Sequence, residues 1–216
     1  MKRFDVPERW RAGVAVVSDV TPDELERYFT DDERARIAGF KFDRRKKEWA
    51  ASRLALKLLA IERGLCTDPR ACTVASSFKR PTITLAGSAT SEQVSISHSG
   101  AAGAVILDQR PIGIDLQEVR EVNPRITKFF LNPDEVEAMQ RVSIAHRLMH
   151  FWCMKEAIWK IDGGKFEGWY KGIHAEVVHE GPECLTFRYS RKSSSGKSET
   201  FALDDRYVLG IAWRSV

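Results

Sequence analysis

Residues 95–100 (SISHSG) combine polar groups suited to binding an anion. A strand-like run ends there at His98, which lies between Ser97 and Ser99 and just before a glycine. Hydroxyls and exposed backbone amides donate hydrogen bonds to anions, and histidine adds a charge that switches near neutral pH. The segment therefore suggests an anion or nucleotide site, and the alternative is a turn that contains a histidine by chance.

Residues 113–118 (GIDLQE) place an acid inside an apolar strand. Burying a carboxylate is costly unless it meets a cation or hydrogen-bond donors. Strand alternation puts Asp115 and Gln117 on one face and Glu118 on the other. Asp115 would suit magnesium, which takes oxygen ligands and often only one or two carboxylates. The alternative is an aspartate at a strand end that caps a neighbouring turn.

Residues 151–160 (FWCMKEAIWK) carry charges among bulky apolar residues. On a helix, Trp152, Glu156 and Lys160 share one face, and Lys155 lies on the adjoining one. In the structural interpretation, Glu156 and Lys160 form a stabilising ion pair along the helix, and the aromatic residues belong to the hydrophobic core. Charges held among apolar residues are, however, more often paired or functional. Both readings stay open at this point.

The elements that must position these segments change in kind along the chain. Residues 14–20 predict a strand, and Thr21 before Pro22 predicts a helical region that breaks near Gly39 and ends near Arg63. Short apolar segments split by turn residues predict further strands. In the first half these cover residues 72–76, 82–85, 94–97 and 104–107, and a strand at 112–116 follows a break at 109–111.

The second half repeats this order. Its predicted helical regions are 124–141 and 144–161, and its predicted strands are 173–179, 184–189, 198–203 and 207–213. Residues 191–199 (RKSSSGKSE) predict a polar hairpin loop. Their Gly-Lys-Ser is not part of a P-loop, because that motif needs an earlier glycine at the position where this chain has Arg191. Helices followed by strands, twice, predict an α+β fold with two similar halves, residues 1–109 and 110–216.

Composition narrows the class of protein. The chain has 216 residues, of which 43% are hydrophobic and 30% charged, and its formal net charge is +4. Its weakly polar runs are too short to cross a bilayer, and its first residues carry charges where a signal peptide needs an apolar stretch. The four cysteines show no zinc-ligand spacing. We expect a cytoplasmic protein with reduced thiols and no membrane segment.

Basic runs such as residues 44–47 raise a nucleic-acid-binding module as a rival reading. Such a module needs exposed aromatic residues beside its basic ones. Trp49, Trp152 and Trp159 are instead predicted to face the core. We therefore expect no nucleic-acid partner.

Together the segments resemble the Sfp-type 4′-phosphopantetheinyl transferases. That family has a Ser-His near the end of its first half, a Gly-(Ile/Val)-Asp-(Ile/Leu)-x strand opening its second half, and a later Trp-x-x-Lys-Glu-(Ala/Ser)-x-x-Lys helix. Here these are residues 97–98, 113–117 and 152–160. Residues 78–81 (FKRP) resemble the family's Gly-Lys-Pro loop, and residues 129–135 resemble its Phe-(Phe/Leu)…Glu segment, with Glu135 as the favoured acid.

The resemblance implies a pseudo-twofold pair of α+β halves with coenzyme A in the cleft between them. It implies a magnesium-dependent transfer of 4′-phosphopantetheine from coenzyme A to a serine of an acyl or peptidyl carrier protein, with release of 3′,5′-ADP. The enzyme would be a cytoplasmic monomer serving fatty acid, polyketide or nonribosomal peptide biosynthesis. The residues implied to bind coenzyme A are Arg44, Arg53, Lys79, Arg80, Pro81, Ser97, His98, Lys155 and Lys160.

The same resemblance implies that Asp115, Glu156 and Gln117 hold magnesium. Lys155 would stabilise the leaving phosphate, and Glu156 would act as the base, directly or through a metal-bound water. Many family members have glutamate where this chain has Gln117, a neutral and weaker ligand that a water can replace. The alternatives are an inactive relative and another coenzyme A-binding transferase, such as a metal-independent acyltransferase.

Overall fold

The computed structural model describes residues 1–76, 81–161, 163, 170–192 and 194–215. The chain divides into two compact units, Met1–Gln109 and Arg110–Val216. Each unit combines helices with antiparallel sheet, which confirms the predicted α+β class. The pseudo-twofold arrangement of the halves stays a prediction. Along the described residues, no helix is both long and apolar enough to cross a membrane.

The first unit packs its long helix on a four-stranded sheet of order β1-β2-β7-β6, and β3-β4-β5 form a second, three-stranded sheet. Its elements are β1 (Lys2–Arg3), α1 (Glu8–Arg11), β2 (Val14–Ser18), α2 (Pro22–Tyr28), α3 (Asp31–Ala38), α4 (Asp43–Glu62), a 3-10 turn (Pro69–Ala71), β3 (Cys72–Ser76), β4 (Pro81–Leu85), β5 (Ser88–Ala89), β6 (Gln93–Ser99) and β7 (Ala102–Asp108).

Local sequence signals set the helices of this unit. Thr21 caps α2 in a capping box with Glu24, and Pro22 occupies the first turn, as the sequence predicts. Gly39 ends α3 and separates it from α4. The long helix α4 contacts β7 closely at Gly103, where a Cβ atom would lie 2.1 Å from the backbone nitrogen of Ser52. Only glycine fits that position.

The second unit packs its long helix on a five-stranded sheet of order β8-β12-β11-β10-β9. Its elements are β8 (Ile112–Glu118), a 3-10 turn (Pro124–Ile126), α5 (Thr127–Phe130), α6 (Pro133–Arg141), α7 (Arg147–Lys160), a second 3-10 turn (Tyr170–Gly172), β9 (His174–Glu180), β10 (Cys184–Arg191), β11 (Ser194–Leu203) and β12 (Tyr207–Arg214).

Two sequence predictions for this unit are wrong in detail. The region 124–141 is not one helix, because Pro133 disfavours helical backbone at Asn132 and a new helix starts there. The polar loop predicted at 191–199 is mostly strand, since β10 and β11 pair from Cys184↔Phe201 to Arg191↔Ser194. Polar side chains of the described residues there belong to a sheet.

A fully buried lysine fastens the long helix of the first unit. Lys57 on α4 is 1% exposed and lies 3.0 Å from the carboxylate of Glu33. Its ammonium also donates to the carbonyls of Pro69 and Cys72, at 3.0 and 2.8 Å. Glu33 in turn accepts from the backbone N–H of Thr30, the residue that caps α3. We call this set of contacts a lysine clasp.

The second unit contains the same clasp. Lys155 on α7 is 0% exposed, and its ammonium donates to Glu135 at 2.6 Å and to the carbonyls of Tyr170 and Ile173 at 3.0 and 2.6 Å. Glu135 accepts from the backbone N–H of Asn132, which caps α6. In both units the clasp joins a capping glutamate, the long helix and the 3-10 turn that precedes a strand. The units therefore share specific contacts as well as an element order.

Candidate active site

A buried carboxylate with two donors marks the centre of β8. Asp115 is 2% exposed. Lys160 Nζ donates to its Oδ1 at 2.6 Å, and Gln117 Nε2 donates to its Oδ2 at 2.9 Å. The second contact confirms that Asp115 and Gln117 share one strand face. Glu118, on the other face, lies 3.9 Å from Arg206.

A second carboxylate, that of Glu156 on α7, lies close enough to Asp115 for the two charges to interact. Burial and, after it, the Asp115 carboxylate raise the pKa of Glu156, while a hydrogen bond from the hydroxyl of Tyr170 and the charge of Lys160 lower it. The net shift is upward. Two carboxylates and one ammonium thus form an acidic cluster in a half-buried setting.

Two glycines allow helix and strand to bring these groups together. A Cβ atom at Gly113 of β8 would lie 1.9 Å from the carbonyl oxygen of Ala157 on α7. A Cβ atom at Gly210, which pairs with Asp115 across the sheet, would lie 2.7 Å from the carbonyl oxygen of Cys153. The helix therefore packs directly on the strand backbone, and its Glu156 faces Asp115.

The donor set of this cluster fits a hard divalent cation. Two carboxylates and the side-chain amide of Gln117 offer oxygen atoms, and magnesium needs few protein ligands because it keeps several waters. A cation would also relieve the repulsion that raises the pKa of Glu156. Among the described residues, no group of three or more His, Cys, Asp or Glu side chains forms a metal cluster. A site here would depend on the two acids and on Gln117.

Lys155 lies elsewhere than expected. Its ammonium has three donor positions, and the lysine clasp supplies three acceptors from within the second unit. Burial lowers its pKa, and Glu135 opposes that effect. This geometry does not support the expected contact of Lys155 with a diphosphate. Lys160, whose side chain is 23% exposed, is the lysine of this helix that reaches the acidic cluster.

In the first unit, Glu48 organises the expected anion-binding residues. This glutamate on α4 is 8% exposed. Arg44 Nε donates to it at 2.9 Å, His98 Nδ1 lies 3.4 Å from it, and Arg45 lies 3.7 Å away. Arg45 also lies 3.1 Å from His98 Nε2. The structure thus brings Arg44 and His98 together, and the neighbouring Ser97 is buried in β6.

The other expected contacts of the first unit are more dispersed. The guanidinium of Arg53 stacks 4.8 Å from the ring centroid of Trp49, and burial together with the charge of Arg36 lowers its pKa to about 10. Pro81 opens β4. Lys79 and Arg80 lie outside the described residues.

Two residues of these clusters were missed by sequence reasoning. Glu48 follows Arg44 by four positions, so the helical ion-pair spacing would have pointed to it. Tyr170, which donates to Glu156, has no such signal, because the sequence between α7 and Tyr170 has no hydrophobic periodicity.

Comparison with known proteins agrees with the motifs. Residues 111–212 match the model of the 4′-phosphopantetheinyl transferase superfamily. Over 122 residues the chain is 25% identical to a Bacillus pumilus protein, 4′-phosphopantetheinyl transferase psf-1; the match covers 55% of this chain and 52% of that protein. The chain thus spans about half the length of the curated relative that it matches. The similarity to the 4′-phosphopantetheinyl transferase superfamily thus lies in residues 111–212, which contain Asp115, Glu156 and Lys160.

Proposed function

We propose that this protein transfers 4′-phosphopantetheine from coenzyme A to a serine of an acyl or peptidyl carrier protein, releases 3′,5′-ADP and requires magnesium. The observation that supports this most is the cluster of Asp115, Glu156 and Lys160. It lies inside the region that matches the superfamily, on the strand and helix that carry the motifs. Phosphoryl transfer depends mainly on positioning and charge stabilisation, which two acids and a cation can provide.

In this proposal Asp115, Glu156 and Gln117 hold the magnesium ion. Bound there, magnesium would neutralise the oxygens of the coenzyme A diphosphate. Asp115 is already oriented by Lys160 and Gln117, so its carboxylate does not have to be reoriented on binding. Lys160 contacts the diphosphate in place of Lys155, because its partly exposed ammonium lies at the cluster.

Glu156 is the proposed base. The carrier serine oxygen attacks the β-phosphorus, the bond from that phosphorus to the bridging oxygen breaks, and 3′,5′-ADP leaves. The serine proton passes to Glu156. A raised pKa makes a carboxylate a better proton acceptor, and burial is the largest cause that raises the pKa of Glu156.

The nucleotide end of coenzyme A is assigned to the first unit on the family resemblance. The side chain of Arg44 is 62% exposed, so it can reach an anion while it pairs with Glu48. His98 and Ser97 follow on the adjacent strand. The complete proposed set is Arg44, Arg53, Lys79, Arg80, Pro81, Ser97 and His98.

A cytoplasmic location and a monomeric state complete the proposal. Size-exclusion chromatography with light scattering tests the second. Two alternatives make different predictions for the reaction: an inactive relative modifies no carrier, and another coenzyme A-binding transferase acts without magnesium.

The decisive experiment incubates the protein with coenzyme A, magnesium and a panel of apo carrier proteins, and measures intact masses. A carrier should gain one phosphopantetheine only when magnesium is present. Asp115→Asn and Glu156→Ala should abolish the gain. Glu118→Gln is the matched control for Asp115→Asn, since it neutralises an acid on the opposite face of the same strand, and it should leave the gain intact.

A protein that modifies no carrier, although it binds coenzyme A, would support the inactive relative. Modification that persists in EDTA, or that Asp115→Asn leaves unchanged, would remove the magnesium site from the proposal.

A further inference from the structure

Tyr170 connects the acidic cluster to the lysine clasp of the second unit. Its hydroxyl donates to Glu156 Oε1, and its backbone carbonyl accepts from Lys155 Nζ at 3.0 Å. Lys155 and Glu156 are neighbours on α7, so one residue contacts two adjacent side chains of the helix through opposite ends. Neither the family resemblance nor the motifs assign a role to this tyrosine.

Aromatic packing fixes the ring of Tyr170. Its centroid lies 5.6 Å from that of Trp152 and 6.0 Å from that of Trp159, both on α7. Trp152 is itself held by an edge-to-face contact with Phe130 at 4.7 Å. A ring packed on two sides has little freedom, and its hydroxyl therefore keeps one direction.

We propose that Tyr170 is the positioning residue of the Glu156 carboxylate, and that Lys155 holds the backbone of Tyr170 in place. The inference rests on the proposed function of Glu156 as metal ligand and base. A carboxylate that accepts a bond from a fixed donor loses rotation, and its second oxygen then points one way. Donors of this kind around a metal site orient its ligands, and their loss typically weakens metal binding by about 10–100-fold.

Arrangement along the chain supports this assignment. The carbonyls of Tyr170 and Ile173 both accept from Lys155, so the clasp holds the whole turn Tyr170–Gly172 against α7. In the first unit Lys57 makes the equivalent contacts. The position equivalent to Glu156, one residue after that lysine, is Leu58. The clasp of the first unit thus has no acid next to its lysine, so the clasp itself is a structural contact. In the second unit the same contact also holds Tyr170, which orients Glu156.

The test compares Tyr170→Phe with Tyr189→Phe. Tyr189 lies in the same unit and is buried, and its hydroxyl donates to the carbonyl of Trp213 at 3.2 Å. Each variant loses one hydroxyl and keeps its ring. Mn²⁺ serves as a probe for magnesium because it favours the same oxygen ligands, and its dissociation constant is read by electron paramagnetic resonance. Circular dichroism and the melting temperature verify folding.

We expect Tyr170→Phe to raise the Mn²⁺ dissociation constant by about 10-fold or more, and Tyr189→Phe to leave it unchanged. At saturating magnesium, Tyr170→Phe should lower kcat by about 10-fold and leave the KM for coenzyme A within about twofold, as expected for a group that does not touch that substrate. A general loosening of the fold would change the melting temperature and KM as well.

Unchanged Mn²⁺ affinity and kcat in a folded Tyr170→Phe protein would overturn the inference, and so would a wild-type protein that binds no Mn²⁺. Equal losses in Tyr170→Phe and Tyr189→Phe would also overturn it. If the wild-type protein binds Mn²⁺ but modifies no carrier, the transferase proposal fails while the affinity measurement still decides the role of Tyr170.

Discussion

Replacing Lys155 with methionine separates a structural role of this lysine from a chemical one. Methionine keeps an unbranched apolar chain and removes the ammonium, which donates to Glu135, Tyr170 and Ile173. Glu135 is 2% exposed, so the change leaves a buried carboxylate without its cation. Breaking a buried pair in this way typically costs about 3–5 kcal/mol.

That loss is large against the free energy of unfolding of a domain, about 5–15 kcal/mol. For a chain of this size it corresponds to a melting temperature lower by about 10 °C. The assay is thermal and urea unfolding followed by circular dichroism and tryptophan fluorescence. Lys57→Met is the matched variant, because it breaks the equivalent clasp of the first unit, and we expect a similar loss.

A double variant sharpens the measurement. Glu135→Gln added to Lys155→Met removes the unpaired charge, and should recover about 1–2 kcal/mol of the lost stability. The reasoning is refuted if Lys155→Met unfolds like the wild-type protein yet has lost transfer activity. That result would return Lys155 to the diphosphate, as the family resemblance implied.

Three further changes test other parts of the structure. His150 is buried, and burial together with the charge of His146 lowers its pKa to about 4. Because the unfolded chain therefore binds a proton more readily, the free energy of unfolding should fall by up to about 3 kcal/mol as the pH drops from about 6.5 to about 4. His150→Asn should flatten this decline in a pH series of urea unfolding midpoints. Gln117→Glu should still support turnover with an altered magnesium requirement, and should melt lower than wild type in EDTA because it replaces a donor to Asp115 by a third carboxylate; an inert protein counts against Gln117 at the metal. Gly113→Ala should cost about 2–4 kcal/mol, measured by thermal unfolding, because the new methyl group meets the backbone of α7; a melting temperature equal to wild type contradicts that packing.

Sequence predictions succeeded where the deciding physics is local. Strand alternation is a property of neighbouring residues, so the sequence predicts correctly that Asp115 and Gln117 share one face. Capping at Thr21 was also predictable, since the capping residues lie within one turn. The resemblance of the motifs to the superfamily was confirmed over the second unit.

Other features depend on contacts far apart in the chain. Lys155 and Glu156 are adjacent in sequence, but one is enclosed by the clasp and the other faces Asp115, and no local pattern distinguishes them. The sequence predicts a loop at residues 191–199, because polarity suggests exposure to solvent. In the structure alternate residues of β11 are buried, so its polarity reflects one solvent-facing side of a strand.

The paired clasps also bear on how the chain reaches its native state and how it tolerates change. Lys57 and Cys72 are 15 residues apart, and Lys155 and Ile173 are 18 apart, so each clasp closes a short loop at modest entropic cost. Each unit can therefore fasten its long helix early, using contacts drawn from its own sequence. Because this fastening does not involve Asp115, substitutions at that acid should alter chemistry while leaving the scaffold intact. Since the lysine clasp and not Asp115 holds the long helix in place, Asp115 can be substituted without loss of the contacts that stabilise that helix.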